Sequence, residues 1–314
     1  RISVSAFGES EAGELYFSDR TTGKIFGFRQ NSEDEIIIEE FNPNVSVEQL
    51  IGIDNAGDSS NRLFGIEQAG RVHIIEENSN TTILEEFRIS GKGTNFVNSA
   101  MNIFMAQGAN LEHIILDDYA ENTYHIANIY AELKRDSNFV SHNFSIGKKF
   151  ARRDYNIELT ETGTNCDLNG LYFASDDAHI DHHTTIEHMK NNCTSNEHYK
   201  GILGGKAIGV FNGRIHVHPD AQKTDAIQNN QNLLLTDDAI IHTKPELEIY
   251  ADDVKCTHGA TVGQLDEKAM FYLRARGLDE ENARRLLMRA YVGEIIDKIN
   301  NEEIREKMMD IIIE

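Results

Sequence analysis

The sequence predicts a mainly β core followed by an α-helical C-terminal region. Three observations carry this. From about Val72 onward, short apolar runs alternate with polar or Gly/Asn breaks, as in a chain of many strands. Only three prolines occur, Pro43, Pro219 and Pro245, so no proline-rich linker divides the chain. Beyond Gly263 the apolar spacing changes from period 2 to the 3–4 spacing of helices.

In chain order, strands are expected at Val72–Ile75, Thr82–Phe87, Leu111–Leu116, Asn156–Leu159, Leu171–Ala174, Ile208–Phe211, Ile215–Val217, Leu233–Leu235 and Leu247–Tyr250. Their spacing is irregular, often near a dozen residues, and no exact repeat is visible. A sandwich, a barrel and a β-helix all fit this pattern. Asn169-Gly170 and Asn212-Gly213 read as tight turns, either of hairpins or at β-helix corners. The helical region has its own signals. Asp266 is a good N-cap, Ala269, Met270 and Leu273 share a face, and Gly277 is a natural stop. Asp279 caps a second helix, with Glu280 and Glu281 in its positive first turn. Its stripe is Ala283, Leu286, Leu287, Ala290 and Tyr291. A last helix from about Asn301 carries Ile304, Met308, Ile311 and Ile312. The expected organisation is an unassigned N-terminal segment over 1–70, a β core over 71–264 and a helical region over 265–314.

Composition narrows the function. Thirty basic residues against 52 acidic give a net charge of −22, which repels phosphate backbones and anionic membrane surfaces. No run of about 18 apolar residues is present, so no membrane span is expected. No signal peptide is visible, and the chain opens on Arg1 rather than Met, so a preceding segment is expected. Cys166, Cys193 and Cys256 are odd in number and far apart, which points to a reducing, cytoplasmic setting. With no CxxC pair, a self-contained tetracysteine zinc or iron–sulphur site is excluded.

Ligand-type residues concentrate late in the chain. Nine histidines lie between His179 and His258. His216-Val217-His218 places two rings on one side of a strand and invites a cupin-like or β-helical metalloenzyme. Against it, Pro219-Asp-Ala-Gln222 follows where the usual glutamate would stand, which favours stacked or surface polar histidines. His179, His182 and His183 with Asp177, Asp181 and His188 mimic a hydrolase metal cluster. Gly201-Ile-Leu-Gly-Gly-Lys206 lacks the Ser/Thr and spacing of a phosphate loop and reads as a turn. Cys256 and His258, two apart on an extended chain, would face one spot; as a thiolate and an imidazole they suit iron, zinc or cuprous copper, but two ligands make only a half-site. From residue types alone, a buried inert cysteine and a hydrogen-bonded histidine are the better reading of this pair.

The run Val254-Lys-Cys-Thr-His-Gly-Ala-Thr-Val-Gly-Gln-Leu-Asp-Glu267 resembles the end of the core domain in the SufB/SufD family of iron–sulphur cluster assembly proteins. Gly259-Ala260 and the cysteine match the SufD branch; SufB sequences usually carry Glu-Ala there and another residue for the cysteine. The resemblance runs through Gly201–Gln264, including Gly204-Gly-Lys-Ala207 and Gln228-Asn-Asn-Gln-Asn-Leu-Leu-Leu235, and more weakly back to about Val72, roughly three quarters of the chain. It implies a right-handed parallel β-helix core with a helical C-terminal region. It further implies a non-enzymatic subunit of the SUF complex, paired with a SufB-like scaffold through its last strands. His258, with Cys256 beside it, would then lie at the interface where a transient cluster forms, the partner completing the ligands and the isolated chain, as a monomer or a homodimer, holding none stably. A SufC-like ABC-type ATPase would dock on Phe271, Tyr272, Leu273, Arg276, Gly277 and Leu278 and the helix after them. Flavin binding is associated with such complexes, but no residue here localises it.

Overall fold

The computed structural model describes residues 77–313 apart from 90–93, 120–121 and 148, together with seven strands within the first 74 residues. Four of these, β1 (Val4–Glu9), β2 (Leu15–Asp19), β3 (Ile25–Gln30) and β4 (Ile36–Phe41), form an antiparallel sheet. The other three, β5 (Leu50–Asn55), β6 (Leu63–Glu67) and β7 (Arg71–Ile74), extend the edge of a larger sheet.

From Asn80 the chain winds as a parallel β solenoid of about six turns. Strands alternate between two sheets. One holds β8 (Asn80–Ile89), β10 (Asn110–Tyr119), β12 (Asn138–Gly147), β14 (Asn165–Ala174), β16 (Thr194–Leu203), β18 (Asp225–Leu234) and β20 (Lys255–Gly263) in that spatial order. The facing sheet holds β9 (Asn95–Met105), β11 (Thr123–Leu133), β13 (Phe150–Leu159), β15 (His179–His188), β17 (Ile208–Val217) and β19 (Ile240–Ile249). Every solenoid pair is parallel and in register, so Asn110, Asn138, Asn165, Thr194, Asp225 and Lys255 occupy one position on successive turns, 27 to 31 residues apart. This variable period, carrying different residues at each repeat, hides the repeat from sequence comparison.

Corners are set by residues that tolerate a left-handed backbone. Asn78, Gly108, Asp136, Gly163, Asn192 and Lys223 stack at one corner with φ between 56° and 78°. At five of the six, the corner amide reaches the next turn's carbonyl, as in Gly108 N to Arg135 O at 2.9 Å. At the opposite corner a Cβ on Gly205 would lie 2.7 Å from the Asp176 nitrogen, so the Gly204-Gly205-Lys206 segment is a solenoid turn, as expected. The two Asn-Gly dipeptides behave differently from expectation. Asn169-Gly170 lies inside β14 and Asn212-Gly213 inside β17. These glycines point into the core and make room: a Cβ on Gly170 would meet the Tyr199 ring at 2.1 Å, and one on Gly213 the Gln228 amide at 2.3 Å.

The interior is largely apolar, with Phe139, Tyr155, Ile157, Tyr172, Ile186 and Phe211 fully buried. A polar band interrupts it. Arg153 pairs with Asp117 at 2.8 Å, both almost fully buried, and also donates to Asn143; Ser145 donates to Asp117 at 3.1 Å. Breaking such a network leaves a buried charge unpaired, which is strongly destabilising.

Three helices follow: α1 (Glu267–Ala275), α2 (Glu280–Ile296) and α3 (Glu302–Ile313). The Asp266 carboxylate accepts from Lys268 N and that of Asp279 from Asn282 N, each at 2.8 Å, and Gly277 stops α1 at φ 99°. The helices do not cap the solenoid end. Val292, Ile295, Ile296, Ile299 and Met308 instead cover an apolar stripe on the outer face of the even-numbered sheet, made by Ile114, Phe144, Leu171, Ile202 and Leu233. Lys200, 4% exposed, fastens the seam by donating to the Tyr291 carbonyl at 2.9 Å and to Glu294 at 2.5 Å. No helix among the described residues is long and apolar enough to cross a membrane.

Candidate functional site

The last turn of the solenoid is open. Strands β19 and β20 are the terminal strands of their sheets, each hydrogen-bonded on one side only. An unpaired parallel edge is a template for another chain, and solenoids ordinarily require an end cap. Pro245, in β19, has no N–H to offer and suits only such an edge. Apolar residues around this end are exposed, among them Ile240, Ile249, Tyr250 and Val262.

Cys256 and His258 sit in this turn. Along β20, Cys256 pairs in register with Ala226, His258 with Gln228 and Ala260 with Asn230, all three of β18 being buried inward residues. In-register residues of a parallel pair share a face, so the thiol and the imidazole belong to the interior row. No further turn lies over them, which leaves His258 exposed and Cys256 half-buried. Cys256 packs against the cluster of Ile215, Val217, Ala221, Ala226 and Ala251. Burial, aided by the nearby Asp225 carboxylate, pushes its thiol pKa up. The cysteine therefore favours the protonated form in the isolated chain, a poor state for holding metal.

Beneath His258 runs a polar column. Gln228 donates to Glu197 at 2.5 Å, and Glu197 is the register partner of Gln228 on the next strand. Glu197 is fully buried, and burial raises its carboxyl from 4.5 to about 7. Nothing in the local sequence marks the two as partners, because they meet only through register across turns. Between the unfolded and folded values the native chain holds a proton that the unfolded chain has lost, so stability falls as pH rises through this window. Glu197→Gln should remove this dependence. The variant should gain on the order of 3 kcal/mol over the native chain at pH 8 and little at pH 4. Urea midpoints at the two pH values check this, and an equal difference at both would contradict it.

The other ligand-type residues are dispersed by strand alternation. In β15, His182 and His188 point inward and are buried, with pKa values lowered to about 3 by burial. His182 bonds Asn143 at 3.2 Å and His188 bonds Ser195 at 2.8 Å. His183 and Asp181 face outward, where Asp181 pairs with His183 at 2.9 Å and with Arg152 at 3.0 Å. Asp177 pairs with Lys149. The hydrolase-like cluster therefore does not assemble. His216 and His218 do share a face, and Glu187 joins them from β15. A carboxylate missing from the local sequence is thus supplied by the neighbouring turn.

The proposed docking residues lie on and just after α1, which buries none of its side chains. Phe271 is 75% exposed and Tyr272 57%, beside Arg276, whose guanidinium lies 5.1 Å from the Tyr272 ring centre. Leu273 and Leu278 are half-buried, and Arg276 and Gly277 exposed. A groove of about 900 Å³ runs between α1 and α2, lined by Leu235, Met270, Phe271, Arg274, Leu278 and Arg284.

Residues 60–291 match the family described as SUF system FeS cluster assembly, SufBD core domain. The chain is 34% identical over 240 residues to the iron–sulphur cluster assembly protein SufD of Escherichia coli, covering 76% of this chain and 57% of that protein. It is 32% identical over 229 residues to a SufBD family iron–sulphur cluster assembly protein of Mycobacterium leprae, covering 70% and 58%. A Synechocystis member of the same description is 35% identical over 234 residues, covering 72% and 52%. The chain thus spans a little over half the length of these relatives.

Proposed function

Because the chain belongs to the SufB/SufD family of SUF iron–sulphur cluster assembly proteins, as a SufD-like member, we propose that it works as a non-catalytic subunit completed by a partner at its open end. The observation that carries this reading is the uncapped last turn bearing Cys256 and His258. A SufB-like scaffold with its own solenoid edge would pair with β19 and β20. Partner burial would cover the exposed apolar rim, and partner ligands would complete the thiol–imidazole half-site for a nascent cluster. The cluster is cargo here, held between chains.

A SufC-like ATPase would dock on the exposed Phe271-Tyr272 surface of α1 and the groove beside it. Aromatic and arginine side chains with one face free are the usual anchors of such interfaces. Movement of the ATPase would reach the interface through a short path, since α1 follows β20 after only Gln264, Leu265 and Asp266.

The test is anaerobic reconstitution with iron and sulphide, followed by iron counting and visible absorbance. The chain alone is expected to retain no stable four-iron cluster. Mixed with a SufB-like scaffold, it should co-elute and retain iron that C256S/H258A does not. A stable cluster on the lone chain would overturn the half-site.

A further inference from the structure

We propose that Glu187, His216 and His218 form a binding site for one divalent transition-metal ion on the outer face of the odd-numbered sheet. The three come together through register. Glu187 of β15 is the direct partner of His216 of β17, and alternation returns His218 to the same face two residues on. Their candidate ligand atoms all lie within 4.8 Å of one another. One oxygen, Glu187 Oε2, stands 2.7 Å from His216 Nδ1 and 2.8 Å from His218 Nε2.

The surroundings hold this geometry in place. The two imidazoles stack with centres 4.3 Å apart, and Tyr250 meets His216 edge-on at 5.4 Å. Arg214 binds the other carboxylate oxygen at 3.2 Å, leaving Oε2 to the histidines. Outer partners that fix a ligand's orientation are a regular part of metal sites. A carboxylate only accepts, so without metal each ring turns an N–H toward Oε2. With the other tautomer, both nitrogens aim lone pairs at the same point.

Two imidazole nitrogens and one carboxylate oxygen suit zinc, cobalt or ferrous iron, with a fourth position left to water. Tetrahedral bonds of about 2.0–2.1 Å need ligand atoms about 3.4 Å apart, so a slight withdrawal of the Glu187 side chain admits the ion. The three side chains are 20% to 33% exposed, sheltered yet reachable. Charge favours a cation as well. Glu132, Glu158, Glu187 and Glu248 lie in one register row with His216, on strands about 4.8 Å apart, and Lys134 and Arg214 answer only part of that charge. The site lies on the outer face of the solenoid, whereas Cys256 and His258 belong to its interior row.

The full chain, stripped of metal, can be titrated with Co²⁺ and followed by visible absorption, then challenged with Zn²⁺. One equivalent of Co²⁺ should give the intense bands of a tetrahedral site, which Zn²⁺ abolishes. His216→Ala and His218→Ala should each weaken binding beyond the roughly 10–100-fold loss typical of an outer-shell partner, and Glu187→Gln by at least about tenfold. C256S/H258A should bind as the native chain does. Thermal unfolding checks that each variant is folded; these are surface changes on a solenoid flank. Absence of the cobalt bands, equal affinity in His216→Ala, or loss confined to C256S/H258A would overturn the assignment.

Discussion

Asp117→Ala is expected to cost about 3–5 kcal/mol, because it strands the Arg153 guanidinium inside the solenoid. Arg153 is 3% exposed and makes two bonds to the Asp117 carboxylate, at 2.8 and 3.0 Å. The same carboxylate accepts from Ser145, itself buried. Water cannot replace these partners in the middle of a packed core. A loss of that size is a large part of the 5–15 kcal/mol by which domains of this kind are stable. Urea unfolding measures it. The double variant D117L/R153M removes both charges and should be less destabilised than Asp117→Ala alone. If the single variant unfolds at the native urea midpoint, the band is not holding the core together.

Ending the chain after Gly263 should have an equally large effect of a different kind. The turns of the solenoid are held by their neighbours, so the strands should remain folded. The truncated chain should nevertheless self-associate, because Ile114, Phe144, Leu171, Ile202 and Leu233 lose the helices that cover them and Lys200 loses both partners. Retention on an immobilised SufC-like ATPase should vanish. Phe271→Ala/Tyr272→Ala separates the two effects, since both side chains are largely exposed and neither belongs to the buried core. That variant should stay monodisperse yet bind the ATPase at least about tenfold more weakly. Equal retention of truncated and intact chains would place the ATPase on the strands and withdraw the helices as its docking site.

Local signals were legible in the sequence; what register creates was not. Asp266, Asp279 and Gly277 mark helix ends through chemistry confined to a few residues, and the structure shows their caps and stop. Apolar runs located most solenoid strands, but at half their length: Ile208–Phe211 and Ile215–Val217 are one strand. The break between them was Asn212-Gly213, a turn signal that here serves close packing beneath Gln228. Strand periodicity could not choose among sandwich, barrel and solenoid, because parallel pairing joins residues 26 to 32 apart and leaves no trace in a window of a dozen. Resemblance to a family made that choice. The same distance explains Glu187, which completes the set with His216 and His218 from one turn earlier. Asp117 and Arg153 stand 36 residues apart, on strands of opposite sheets, and nothing local announces that they meet.

The most direct measurement of the central claim concerns His258 in the assembled complex. Its ring is exposed on a terminal strand, so His258→Ala should leave folding and co-purification with a SufB-like scaffold and a SufC-like ATPase unchanged. Cluster delivery to a reporter iron–sulphur enzyme, in cells that depend on this complex, should fall sharply. His242→Ala, exposed on the neighbouring edge strand but facing outward, serves as the control and should deliver normally. An intact complex with impaired delivery is the predicted result. Normal delivery by His258→Ala would contradict the account, because the open turn would then be an interface without chemistry of its own.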